Sequence, residues 1–428
     1  MKYAFAPILA VGMFALPLSA MAGGIMLYEV GTDNVGLANA GAAARAQGPS
    51  TLASNVAGMA LLKGTQVTAA GQLLHSNLKF HTDSDTNIEG GNSGNALEWL
   101  PGGSFFATQE LNDGWSVGFA AYGDFGLSLN YDNDWQGRYF LQNGSILGMT
   151  LMPSVAYHIN DQWAVGLGAR AFYAALDSKM AVDNDPLGVL DRPDGRMKYK
   201  DNDWAFGANL GVIYEPREGT RLGLSYTSEI HVKFEDRMDL EGLGPVATTA
   251  LSNRGVLDAN TKIDMNVPQT LTLSLYQQLD TQWALLGSLG WQDWSRFDEI
   301  GVDLDSPNPH SATLHTNYKD TWHASVGAQY RFDPQWLWNM GLGYDSSAVS
   351  DHNRTLTVPA NENWRLGTGF TYSLDKNTDI NFSYELVWMG DMSVDQQKPL
   401  PLHDPKRVSG EFDNAWIQAF AGNVTWRF

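Results

Sequence analysis

The chain has 428 residues, of which 17% are charged, and carries a formal net charge of −20 from 27 Lys and Arg against 47 Asp and Glu. That sign excludes a nucleic-acid binder, which needs clustered Lys and Arg, and the lack of Cys excludes disulfides and thiolate metal sites. A mean hydropathy of −0.25 excludes a bundle of membrane helices, whereas low charge with 44 Gly and 15 Trp fits a wall of small residues rimmed by aromatic girdles.

Residues 1–22 read as a secretory signal: Lys2 is the positive end, Phe5 to Leu18 the apolar stretch, and Ala20-Met21-Ala22 the cleavage motif, with the cut between Ala22 and Gly23. A single Lys with Pro7 and Pro17 makes it irregular, and a retained anchor is the other reading. Beyond it no apolar run approaches the ~20 residues of a spanning helix, so any crossing of a membrane falls to strands.

Residues 23–64 are rich in Gly and Ala, poor in charge and without period-2 alternation. Asp33-Asn34 and Ser54-Asn55 are candidate helix caps before short apolar pieces. The segment is too small for its own core and reads as a plug against something larger.

From residue 65 strands alternate with turns. Tight turns recur at 112–114, 160–162, 216–219, 280–282, 333–335 and 375–377, spaced by about two membrane strands and a long loop. Trp115, Trp163, Trp283 and Trp336 each follow such a turn, one per hairpin at one membrane boundary. Facing is readable strand by strand. Ile380, Phe382, Tyr384, Leu386 and Trp388 alternate with Asp379, Asn381, Ser383 and Glu385. Leu271, Leu273 and Leu275 alternate with Thr270, Thr272 and Ser274, and Trp163, Val165 and Leu167 with Gly166, Gly168 and Arg170. Glu385 or Arg170 on lipid would cost ~2–4 kcal/mol at the midplane, so the polar set faces inward. Strand starts near 65, 96, 115, 145, 162, 202, 219, 262, 282, 320, 335, 363, 377 and 414 give fourteen strands, an even number with both ends on one side. Longer polar loops fall at 81–95, 129–144, 181–201, 235–261, 297–319, 346–362 and 392–412. The last strand sets Phe420, Gly422, Val424, Trp426 and the final Phe428 on one parity. Trp426 and Phe428 look like the signal that barrels present to their insertion machinery.

The fold class expected is therefore all-β: a transmembrane antiparallel barrel of fourteen strands over 65–428, with the 23–64 segment as a hatch inside it. No catalytic motif stands out. Gly166-Leu-Gly168-Ala-Arg-Ala171 fits a dinucleotide fingerprint only in letters, because it lies inside a strand. Asp83-Ser-Asp85-Thr-Asn87 starts like a calcium loop but has Ile88 where Gly is needed. His310 and His315 share a loop, which reads as solvated rather than metal-binding. No cofactor is expected.

Several runs resemble the long-chain fatty acid transporter family (FadL and the toluene/xylene importers). These are Tyr122-Gly-Asp-Phe-Gly-Leu127, Trp135-Gln-Gly-Arg-Tyr139, Pro153-Ser-Val-Ala-Tyr157, Trp163-Ala-Val-Gly-Leu-Gly168, Asp203-Trp-Ala-Phe-Gly207 with Gly211, Arg221-Leu-Gly-Leu-Ser-Tyr226, Val267-Pro-Gln-Thr270 and Trp294-Ser-Arg-Phe297. Gly36-Leu-Ala-Asn-Ala-Gly41, which contains Leu37, resembles the family's hatch. The hatch motif Asn-Pro-Ala departs here to Asn55-Val56-Ala57, which leaves that turn less rigid. The resemblance implies an outer-membrane importer of hydrophobic compounds, long-chain fatty acids first and aromatic or alkane hydrocarbons second. It implies ligand resting in an apolar outside groove, entering a pocket, and leaving sideways at a kinked third strand. Gly123, Asp124, Phe125 and Gly126 interrupt that strand as a bulge would; an ordinary corner bulge is the plainer reading.

Groove candidates are Val182, Leu187, Val189 and Leu190 on one loop and Met238, Leu240, Leu243 and Val246 on another, although such groups could equally pack the loops together. Trp135, Arg138 and Tyr139 follow the kink; Arg138 fits a carboxylate head group or a wall carboxylate. Partners expected are a hydrophobic small molecule, outer-membrane lipid and lipopolysaccharide, and the insertion machinery, with the chain a monomer. A lipid hydrolase and an open aqueous porin are the rival readings.

Overall fold

The structure is a computed structural model describing residue 30 and residues 32–185, 192–253, 257, 259–305, 310–315, 317–400 and 403–428. Ala22, Gly23, Leu187, Val189 and Leu190 lie outside the described residues. Among those described, fourteen antiparallel strands form one closed barrel. They are β1 (Thr65–Asn77), β2 (Trp99–Glu110), β3 (Trp115–Asn130), β4 (Asn143–Asn160), β5 (Trp163–Val182), β6 (Gly195–Arg217) and β7 (Thr220–Thr227). The second half comprises β8 (Thr270–Gln278), β9 (Trp283–Gln292), β10 (Thr321–Arg331), β11 (Trp336–Asp345), β12 (Asn363–Ser373), β13 (Thr378–Leu400) and β14 (His403–Arg427). Closure is β1 against β14, from Gln66↔Arg427 to Asn77↔Trp416. The Phe428 N–H adds a bond of 2.8 Å to the Thr65 carbonyl.

Three of the tight turns are built by an acidic or amide side chain at their first position. Asn160 Oδ1 accepts from the Gln162 and Trp163 N–H groups, Asp280 from Gln282 and Trp283, and Asp333 from Gln335 and Trp336. Each side chain mimics a backbone turn and delivers the following Trp, exposed, to one rim. Above that rim the expected facing holds. Leu271, Leu273, Leu275, Ile380, Phe382 and Trp388 are exposed, while Ser274, Asn381, Ser383, Glu385 and Arg170 are buried toward the lumen.

One strand start needs correction. Residues 260–267 pair with 230–237 and 299–305, and the latter with 310–315, in a separate four-stranded sheet. The eighth barrel strand begins at Thr270 instead. The 235–261 and 297–319 stretches thus carry strands of their own. His310 and His315 bound one of these, and Val246 sits exposed on a helix over Pro245–Asn253. Two further starts move outward along the chain: β6 begins at 195 and β14 at 403, because the β5–β6 and β13–β14 hairpins rise well beyond the membrane band.

Candidate binding and exit site

The lower lumen is filled by residues 32–64. This segment is nearly all buried, with Leu37, Leu52, Val56, Ala57 and Met59 inaccessible. The wall makes room for it by omitting side chains. A Cβ on Gly211 would overlap Asn55 Oδ1, one on Gly223 the Ala43 carbonyl, and one on Gly341 the Leu37 carbonyl. A Cβ on Gly166 would lie 2.7 Å from the Ala57 nitrogen. Polar wall groups then take up the segment's backbone. Ser288 Oγ accepts from the Gly41 N–H at 2.9 Å and Ser274 Oγ from the Ala43 N–H at 3.1 Å. Asn55 caps Ala57 through Oδ1 at 3.0 Å, as its position before a short helix suggests. Its Nδ2 donates to the Ala43 and Val212 carbonyls at 2.7 and 3.1 Å, tying segment to wall.

The kinked strand is β3. It stays laddered to β4 throughout, but the register slips between Gly123 and Phe125, so one residue is extra. Burial shows the consequence: Ala120 and Tyr122 are buried below the slip, Leu127 and Leu129 above it, a reversal of parity. On its other edge β3 pairs with β2 only from Glu110↔Ser116 to Ser104↔Tyr122. Contact resumes where the Asn130 N–H reaches the Ala96 carbonyl at 2.7 Å. Between these points β2 remains paired to β1 as far as Trp99. The result is a window in the wall between two otherwise intact strands. On the β2 side its edge is Pro101-Gly102-Gly103, residues the sequence reading passed over. Proline inside a strand was the available signal, because a residue without N–H is tolerated at an unpaired edge.

Behind the window, Leu127, Leu129, Ile146, Phe172 and Leu176 belong to one apolar cluster that continues into the outside loops. Of the groove candidates it takes in Met238 as buried, and Val182, Leu240 and Leu243 as partly buried. The two loops are stitched together: Leu240 registers with Met197, and Asn184 Nδ2 donates to the Gly242 carbonyl at 2.7 Å. Trp135 is inaccessible, stacked on Tyr131 at 4.4 Å, with Nε1 donating to the Leu141 carbonyl at 2.7 Å. It anchors the outside loops from within.

Arg138 and Tyr139 open onto a polar cavity of about 1130 Å³. Arg138 Nε and the Tyr139 hydroxyl both donate to Asp194, each at 2.7 Å. Lys406, held by Asp183 at 2.9 Å, lies 4.1 Å from the Tyr139 ring centre. Burial, then the bond to Asp194, pushes the Tyr139 hydroxyl well above its usual range. Burial works against the Arg138 charge, but Asp194 and Tyr139 outweigh it and hold the guanidinium above its ordinary value. Asp83 is spent on the Ser409 hydroxyl at 2.7 Å and Asp85 on Arg407 at 3.0 Å. Among the described residues no acidic and His cluster has metal-holding geometry. A buried ionic row across β10–β13 also escaped the sequence reading: His323 with Asp345 at 2.7 Å, Asp345 with Arg365 at 2.5 Å, and Arg365 with Glu385 at 3.3 Å. Each member shows inward parity in its own strand, but only the ladder brings them side by side.

Comparison with known proteins agrees with the fold. The chain is 26% identical over 423 residues to the long-chain fatty acid transport protein of Escherichia coli (strain K12), covering 88% of this chain and 90% of that one. It is 27% identical over 421 residues to outer membrane protein P1 of Haemophilus influenzae, covering 88% of each. In fold it is similar to a Pseudomonas aeruginosa FadL homologue (TM-score 0.84, 19% identity, 95% of this chain and 100% of that one). It is also similar to the Ralstonia pickettii toluene transporter TbuX (TM-score 0.67, 19% identity, 94% and 100%). Residues 14–428 match the family described as "Outer membrane protein transport protein (OMPP1/FadL/TodX)", and the chain belongs to that family of outer-membrane proteins.

Proposed function

We propose that this barrel imports hydrophobic compounds, long-chain fatty acids foremost, and releases them sideways into the membrane through the window between β2 and β3. The observation that carries the reading is the break in the β2–β3 ladder beside the Gly123–Phe125 bulge, backed by the apolar cluster holding Leu127, Leu129 and Phe172. The filled lower lumen argues against a straight aqueous path. A hydrophobic ligand gains nothing from water, where each exposed CH₂ costs ~0.8 kcal/mol. A sideways release spares it that cost, and moderate binding at each stage lets it move on. No energy source is needed; consumption downstream sets the direction. The curated relatives named as fatty acid transport proteins support the choice of cargo.

Deletion of Asp124 tests the route. It removes the extra residue, restores one parity along β3 and lets the strand close on β2. Uptake of a long-chain fatty acid should fall at least about tenfold, while heat-modifiable gel mobility shows a folded, inserted barrel. Undiminished uptake through that barrel would overturn the sideways exit.

A further inference from the structure

The outward file of β6 changes character as it leaves the membrane. Phe206 and Trp204 are exposed and aromatic, and Trp204 meets Tyr173 of β5 at 5.2 Å between ring centres. Asn202 comes next, then Lys200, Lys198 and Arg196 on the same parity. β5 supplies the matching file of Tyr173, Ala175, Asp177 and Lys179, with Lys179 directly opposite Lys198. Lys179, Arg196, Lys198 and Lys200 thus stand together above an aromatic belt, in a chain whose net charge is −20. Elsewhere on the outside the charge is of the other sign. The β13–β14 hairpin gathers Asp413, Asp391 and Glu411, and Asp413 above all pushes the Glu411 carboxyl up from its usual range.

Two of these cations have acidic neighbours at the long end of pairing. Arg196 lies 3.6 Å from Glu241 and Lys200 3.9 Å from Asp177, and such open pairs are worth little. Lys179 and Lys198 have no such neighbour. Among the described residues no carboxylate comes within ion-pair distance of either, although Asp239 faces Lys198 across the other edge of β6. Lys179 Nζ donates instead to Asn133 Oδ1 at 2.7 Å. Like charges directly opposite on neighbouring strands repel. Burial, then Arg196 and Lys198, hold the Lys179 ammonium below its ordinary value. An anion between the two lysines would relieve this. We infer that Lys179 and Lys198, flanked by Arg196 and Lys200, bind the phosphate of a lipid head group in the outer leaflet, while its acyl chains lie against Trp204 and Phe206. The spacing suits such an occupant. Trp204 marks the membrane interface, and Lys200 and Lys198 follow it at about 13 and 20 Å along the strand. Lysine stems can bend their heads back toward the belt. Ala175 and Asn202, side by side between belt and cations, leave room for the rest of the head group.

The inference does not rest on the import reading, and its test reads binding rather than uptake. The purified full-length barrel, in neutral detergent, is titrated with lipid A, a doubly phosphorylated, acylated disaccharide, and with the same lipid stripped of its phosphates. The ratio of the two dissociation constants is the readout, because the stripped lipid keeps the chains and loses the charge. Lys179→Gln/Lys198→Gln should lower the preference for the phosphorylated lipid about tenfold or more, the scale of one charge-assisted contact. Heat-modifiable gel mobility shows that this barrel is folded. Lys63→Gln/Lys376→Gln removes the same charge at the opposite rim and should leave the ratio as it is. An unchanged ratio in the first pair overturns the inference, as does an equal fall in the second. Inorganic phosphate equimolar with the lipid should leave the lipid bound; displacement would show a site for free phosphate and overturn the lipid assignment.

Discussion

A missing Cβ lets the wall meet the plug's backbone where no side chain would fit. Gly223 and Gly341 touch the carbonyls of Ala43 and Leu37 so closely that no methyl fits, and backbone cannot yield as a flexible side chain can. Gly287 faces the other way, where a Cβ would meet only the Ser325 carbonyl at 3.6 Å. Gly341→Ala should therefore dislodge the plug while Gly287→Ala leaves it seated. Planar-bilayer recordings should show conductance rising in the first and matching wild type in the second. The many glycines were plain in the composition, but which of them face the lumen is settled only by parity, and which touch the plug only by the fold.

At the scale of elements, alternation was a sound guide to facing and a poor guide to partnership. Residues 260–267 alternate as well as any wall strand, with Thr261, Ile263, Met265 and Val267 buried. Their opposite face carries Lys262 and Asp264, and Lys262 pairs with Glu235 at 3.4 Å. A wall strand here would turn Ile263, Met265 and Val267 to lipid and Lys262 and Asp264 to the lumen, as Glu385 and Arg170 are turned, so the facing test is satisfied either way. Apolar residues inside the outer sheet and inside the lumen obey one period, and period alone cannot say which core is being filled. The assignment is checkable by labelling: Asp264→Cys should react at once with a membrane-impermeant maleimide in intact cells, and Leu273→Cys, on the lipid face of β8, should resist it.

For the whole molecule the decisive feature is the break in the β2–β3 ladder beside the Gly123–Phe125 bulge. The barrel count and the plug were legible because each rests on local signals: turn spacing and loss of alternation. The break in the β2–β3 ladder was less so, because it belongs to two strands: two glycines around an acid mark the register slip in β3, while the other edge lies on β2. Gly103 and Gly123 stand one step past the last rung, Ser104↔Tyr122, on opposite sides of that opening. The chain has no Cys of its own, so a Gly103→Cys/Gly123→Cys pair can be linked without interference by a short bifunctional thiol reagent. The two-cysteine barrel, unlinked, should import fatty acid at close to the wild-type rate, since both positions face lipid and neither touches the plug. Once linked across the window it should lose most of its uptake, and each single-cysteine barrel treated alike should not. Linking acts after the barrel has formed, so a loss cannot be blamed on folding, and a reagent with a longer spacer should restore passage in proportion to its reach. A tightly linked barrel that still imports would show that the ligand leaves by another path, and the break beside the bulge would then be a corner in the wall and nothing more.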